Sequence, residues 1–248
     1  MKHIKRLLKS ISRNRWMFCS IVPSIYLNFK VLPFKQAMKI PILVYKPKFR
    51  SLKGRIRIDA PLKFGMIRIG YPIVSIYPNN GVMLELKEEV NFKGTAHIGN
   101  DTYISVGEKG LLEIGNEFGS TCGLKLVCYH KIRMENNVLI GWNCMICDTD
   151  FHKLTWADGK NRINYGPITI GEGSWLANSC KIYKNVDLPP YTVVASDTIL
   201  TCSPKSNEKS LICNDRRNIV KASGVFLNRQ DDQIVYSDNA DTIKACKK

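Results

Sequence analysis

From Ile170 onward a large aliphatic residue returns at every sixth position: Ile170, Leu176, Ile182, Leu188, Val194 and Leu200. A small residue tends to follow it (Gly171, Ala177, Ala195), and the blocks read IGEGSW, LANSCK, IYKNVD, LPPYTV and VASDTI. This spacing constrains the fold more than any other feature, because it fits neither an amphipathic helix nor a simple hairpin. It predicts short strands separated by turn-prone Gly, Asn and Asp, with each aliphatic side chain turned inward onto its equivalent one coil away. Three such sides close a triangular coil of about 18 residues, and coils stack by parallel strand pairing. Upstream the period recurs in broken phases: Met134, Ile140 and Ile146; Ile114, Ser120, Leu126 and Ile132; Ile98 and Ile104; with Ile67–Gly70 as a possible start. The expected fold is mostly β, a parallel β-helix over residues 61–205, with 1–60 and 206–248 as caps or partner contacts.

One segment breaks the repeat. Residues 151–166, FHKLTWADGKNRINYG, are polar and turn-rich between two in-phase runs. An excursion thrown out of a solenoid at one face is where function tends to sit.

Charge is unevenly placed. Residues 1–60 hold 15 Lys and Arg against the single acid Asp59, and so carry +14 of the net +16. That asymmetry points to an anionic partner. Ile4, Leu7, Leu8, Ile11, Trp16 and Met17 have amphipathic-helix spacing, so residues 1–20 are expected to be partly helical and either packed on the domain or in peripheral contact with an anionic membrane. Nucleic acid is not expected, since no recognised motif or basic–aromatic platform accompanies the charge. Residues 16–29 are apolar, but Pro23 and Asn28 interrupt them, no clean cleavage site follows, and they are short for a bilayer span. Nine cysteines without a disulfide-like framework read as reduced core thiols. Cys144 and Cys147 form a CxxC that lacks a second pair, and His97, His130 and His152 are too irregularly spaced for a metal site. No metal is expected, and the location is expected to be cytoplasmic, with membrane association possible.

The IGxxxx blocks, the His-bearing interruption, and then ITIGEGSWLANSCKIYKNV followed by VVASDTILT resemble the hexapeptide-repeat acyltransferases, and among them the galactoside, maltose and bacterial surface-polysaccharide O-acetyltransferases. The resemblance covers about residues 65–222 and is most specific over 138–201. It implies a left-handed β-helix, a homotrimer, active sites between subunits, and acetyl-CoA as acyl donor. Position by position, it implies His152 as catalytic base. Trp175 and Ala177 would line the acyl-CoA channel, with the backbone amide of Asn178 as oxyanion donor. Ser196 and Thr198 would lie along the CoA arm, with Thr201 just beyond and Arg217 toward the nucleotide. Two departures stand out: Cys213-Asn214-Asp215-Arg216-Arg217 replaces a Gly- and Pro-containing segment, and Asp197 replaces a glycine.

The chemistry asks for these residue types. Acyl transfer to a hydroxyl needs a base near neutral pKa, which histidine supplies, and a rigid donor for the developing oxyanion. Asp148 and Asp150 are candidates to orient the imidazole, bind sugar hydroxyls or cap the turn. Trp142, Trp156 and Tyr165 are candidates to stack on a sugar ring or merely to cover the loop, and Lys181 and Lys184 to meet CoA phosphates. The expected function is O-acetylation of a sugar hydroxyl, on a surface-polysaccharide precursor. N-acylation of an amino sugar and a non-catalytic β-helix scaffold are the alternatives, since fold alone does not fix function.

Overall fold

The computed structural model describes residues 15–152, 154–155, 161–214 and 220–223, with side chains from Ser20 onward outside the segments 153–162 and 215–223. Arg217, Trp156 and most of the basic segment 1–20 lie outside the described residues or side chains.

The chain folds as three parallel sheets of stacked short strands, consistent with a left-handed β-helix. The three sheets are the faces of a triangular prism, here called A, B and C in the order the chain visits them. The aliphatic period behaves as expected. Ile170 pairs with Leu188, Leu176 with Val194 and Ile182 with Leu200, each 18 residues apart on faces C, A and B. All six lie at the core, with at most 1% exposure. Upstream coils are longer, which is why the sequence phase breaks. Ser120 pairs with Ile140 and Leu126 with Ile146, 20 apart, whereas Ile98 pairs with Ser120 and Ile104 with Leu126, 22 apart. The extra residues are accommodated at corners, where left-handed backbone recurs at Asp101, Asn137, Asn143, Asn185 and Asp197, Asn and Asp being the non-glycine residues that tolerate it best. Cys122, Cys128, Cys144, Cys147 and Cys180 are buried free thiols within this core. Burial pushes the Cys122 thiol up to about 11 and raises those of Cys128 and Cys147.

The prism begins earlier than its repeat suggests. Ile42–Val44, Pro47–Leu52 and Arg55–Ile58 form a complete first coil on faces A, B and C, upstream of the boundary expected at 61. Its outward positions are Lys48, Arg50, Arg55 and Arg57, so the basic charge that marks residues 1–60 decorates strands as well as helix. Asp59 accepts from Arg57, Lys93 and Asn91, which hold its carboxyl well below the usual range. At the far end, 210–212 continues face A and 220–223 closes it antiparallel.

Helix α1 (Arg15–Val31) finishes the open edge of the first coil. Strand Ile42–Val44 is the edge of face A and would otherwise present bare backbone groups. Ser24 and Asn28, both buried, supply partners: the Val44 N–H donates to Ser24 Oγ at 2.9 Å, the Ile42 N–H to Asn28 Oδ1 at 3.2 Å, and Asn28 Nδ2 to the Ile42 carbonyl at 2.7 Å. A short helix α2 (Phe34–Ala37) follows. No described helix is long and apolar enough to cross a membrane. Because Asn28→Ala leaves a buried N–H and a buried C=O unpaired, it is expected to lower unfolding free energy by about 2–4 kcal/mol, read from urea denaturation with an unchanged slope.

Candidate functional site

Two edges of the prism carry the residues singled out from sequence, and they are different edges. The B–C edge at the fifth coil holds the excursion. Ile146 on face B pairs with Ile182, 36 residues on, twice the spacing of the coils below, and the additional chain leaves the prism after Cys147 and returns before Ile168. The excursion is pinned at its root. Asp148 is fully buried, and its two carboxylate oxygens accept from the N–H groups of Tyr129 (2.7 Å) and His130 (2.8 Å) in the coil before it. Thr149 bridges Tyr165 antiparallel, the Asp150 N–H donates to the Asn164 carbonyl at 2.7 Å, and the Gly166 N–H to the Asp148 carbonyl at 3.0 Å. Gly166 is required there, since a Cβ would overlap the side-chain oxygen of Asn185. Beyond the root, 154–155 and 161–162 pair as a small antiparallel ribbon.

His152 sits at the base of that ribbon, exposed, its N–H donating to the Asp150 carbonyl at 2.7 Å. The preceding Phe151 adopts φ 61° and lays its ring edge-on against Tyr129, with centroids 4.9 Å apart. His130 stacks at a tilt on Tyr165, 4.8 Å between centroids. Tyr165 therefore covers the loop root while remaining half exposed.

Neither acid orients the imidazole. Asp148 spends both oxygens on backbone, so its expected contact with acceptor or histidine is corrected to a turn clasp. Asp150 pairs with Lys184, whose side chain is only 12% exposed. Lys184 is thereby withdrawn from the CoA-phosphate role, and Lys181 stays exposed. Among the described residues the His152 ring has no hydrogen-bond partner, and no three His, Cys, Asp or Glu side chains converge as a metal ion would require.

The A–B edge carries the second group. At three successive coils the corner runs through Gly141-Trp142-Asn143, Ala177-Asn178-Ser179 and Ala195-Ser196-Asp197. In each triplet the outer two N–H groups donate to a neighbouring coil: Gly141 to Leu176 and Asn143 to Cys122, Ala177 to Val194 and Ser179 to Trp142, Ala195 to Ile212 and Asp197 to Asn178. The middle N–H groups, of Trp142, Asn178 and Ser196, have no acceptor among the described residues. They form a column of unspent donors up the corner, with Trp175 partly buried on face A beside it and Ala177 buried.

Two members of the expected CoA group fall elsewhere. Thr198 is fully buried, its hydroxyl turned into the prism, because the hexad places it directly before the outward Ile199 and inward Leu200. Thr201 follows the face-B strand Ile199–Leu200 and so lies exposed on the B–C edge, across face B from Ser196.

Tyr77 belongs to the A–B edge, and sequence reasoning passed over it. Residues 72–81 leave the second coil between faces A and B. The excursion descends the corner, with Asn100 Nδ2 donating to the Pro78 carbonyl at 2.7 Å, and ends with Tyr77 against Trp142, centroids 5.8 Å apart, its hydroxyl accepting from Asn143 Nδ2 at 3.3 Å. Trp142 is therefore held as a wall of this edge. Pro72, Pro78 and the Asn79-Asn80-Gly81 turn were the available signal.

No family model matches the chain. An uncharacterized 24.8 kDa protein in the cps region of Klebsiella pneumoniae is 25% identical over 173 residues, spanning 69% of this chain and 73% of that protein. Among solved structures, the chain is similar to the polySia-specific acetyltransferase NeuO (TM-score 0.48, 11% identity, 81% of this chain and 98% of that one). It is also similar to the polysialic acid O-acetyltransferase OatWY (0.38, 15%, 80% and 97%), and to a maltose O-acetyltransferase from Clostridium difficile 630 (0.37, 11%, 86% and 87%).

The two acids should separate cleanly on substitution. Asp148→Ala orphans two backbone donors beside a buried carboxylate site and is expected to cost roughly 3 kcal/mol. Asp150→Ala removes a partly exposed ion pair and is expected to cost under about 1 kcal/mol. Chemical denaturation of the two variants side by side measures the contrast.

Proposed function

We propose that this chain is an acetyl-CoA-dependent O-acetyltransferase of a sugar hydroxyl, acting as a homotrimer with His152 as general base. The carrying observation is the division of the candidate residues between two edges at one height. His152 lies on the B–C edge of the fifth coil, and Trp142 and Asn178 on the A–B edge of the fifth and sixth. Within one chain, face B stands between them. A cyclic axis parallel to the prism preserves height, so a trimer that packs the A–B edge of one chain against the B–C edge of the next joins them at the same level. Each such junction would bring one histidine to one column of free amides.

The unspent N–H groups fit the donor substrate. A pantetheine arm is an extended chain of amides, and Asn178 and Ser196 offer it a line of rigid donors, with Trp142 and Trp175 as apolar walls and Lys181 within the same coil for phosphate charge. Acetyl-CoA supplies the activated acyl carbonyl. His152 takes the proton from the acceptor hydroxyl as its oxygen attacks that carbonyl, and hands it to the departing thiolate. The Asn178 N–H stabilises the oxyanion; held by a coil that need not reorganise, such a donor is worth about 3–4 kcal/mol. Phe151, locked on Tyr129, fixes the backbone from which the imidazole projects.

The test is a thermal shift with acetyl-CoA, with ADP as control, in the wild type and His152→Ala. Both are expected to be stabilised, by roughly 2.7 kcal/mol at a hundredfold excess over the dissociation constant. Turnover with sugar acceptors is expected to fall about 10²–10⁴-fold in the variant only. Absence of any shift in either protein leaves the scaffold reading in place. Light scattering is expected to give three times the 28.2 kDa chain mass; a monomer that still turns over would remove the shared site.

A further inference from the structure

Helix α1 is amphipathic the wrong way round for a helix packed on a soluble domain. Toward the prism it turns Ser20, Ser24 and Asn28 together with Leu27 and Val31. Toward solvent it turns Ile21, Val22, Ile25 and Phe29, and the stripe runs on through Phe34 and Met38; Val22, Phe34 and Met38 are 72%, 70% and 61% exposed. The inversion has a local cause. The polar side chains are consumed in finishing the first-coil edge, so the apolar ones are left on the outside. Single exposed apolar residues are ordinary, but a continuous stripe along one helix marks a docking surface.

Its charge selects the occupant. Lys30, Lys35 and Lys39 are exposed along the same segment, and none of them has an acidic partner among the described residues. The one acid of residues 1–60, Asp59, is already engaged by Arg57 and Lys93. A second copy docking through the same face would set Lys30, Lys35 and Lys39 against their own equivalents, with no carboxylate in residues 21–39 to relieve them. Nucleic acid would use the cations and leave the apolar stripe in water. An anionic bilayer surface uses both, apolar side chains entering the headgroup–acyl boundary and lysines meeting lipid phosphates.

We propose that the outer face of residues 21–39 docks the first-coil end of the prism onto an anionic lipid surface. This inference is independent of acyl transfer and stands or falls without it.

The experiment is co-sedimentation of the full chain with vesicles of phosphatidylcholine alone or mixed with phosphatidylglycerol, at low and high salt. The wild type is expected to pellet with the mixed vesicles, less so as salt rises, and to remain in solution with phosphatidylcholine. Val22→Ser combined with Ile25→Ser alters only exposed side chains, so the thermal transition is expected to hold while vesicle affinity falls about tenfold or more. Lys30→Gln, Lys35→Gln and Lys39→Gln together are expected to weaken it roughly a hundredfold. Wild-type protein that stays in solution with both vesicle types overturns the proposal, as do variants that pellet like wild type. Light scattering on the serine variant without lipid adds a further check: loss of an oligomer would assign the stripe to a second copy instead. A salt-sensitive shift of generic DNA without vesicle binding would assign the charge to nucleic acid.

Discussion

The contact on which the rest of this molecule depends is the stacking of one inward aliphatic side chain on its equivalent a coil away. Ile132 on Ile168, Ile140 on Leu176 and Ile146 on Ile182 each sit in a register that parallel pairing fixes to the residue. A one-residue slip would turn every core side chain outward. Because the register is so tightly specified, the corners are free to vary. Insertions of two, four or eighteen residues are absorbed there without disturbing the core, and the two longest excursions described above bring Tyr77 and His152 to their edges.

That division explains what could be read from the sequence and what could not. The period over 170–200 is visible because those coils have no additions. Upstream runs such as Ile114, Ser120, Leu126 and Ile132 name consecutive faces correctly, although corner residues shift the phase between them. The first coil at 42–58 was hidden by its own surface, since Lys48, Arg50, Arg55 and Arg57 alternate with the inward residues and read as part of a basic arm.

Legibility of the candidate site follows the same physics. Residue type marked His152 as a candidate base, but nothing in type says that Asp148, three residues before the positive-φ Phe151, faces inward onto two amides while Asp150 reaches Lys184. Thr198 and Thr201 looked like neighbours of Ser196 because they are close in sequence; on a prism, two residues turn Thr198 into the core and five carry Thr201 across face B. The unspent N–H groups of Trp142, Asn178 and Ser196 belong to the backbone, which sequence motifs record only indirectly through the small residues flanking them. Tyr77 reaches Trp142 across 65 positions, a closeness set by coil stacking.

The Asn28 and Ser24 clasp on the first strand has a consequence for how the molecule comes into being. A stack of parallel coils grows by templating, each new coil laid on the backbone of the last, and its first coil has no template. Here α1 plays that part, offering an amide and a hydroxyl where a preceding strand would stand. It also precedes the first coil in the chain, so a nascent chain already holds its starting surface when Ile42 emerges. The same clasp bears on the reverse process: with the Ile42 and Val44 backbone groups already paired from within, the face-A edge is no longer an open template for a strand of another chain.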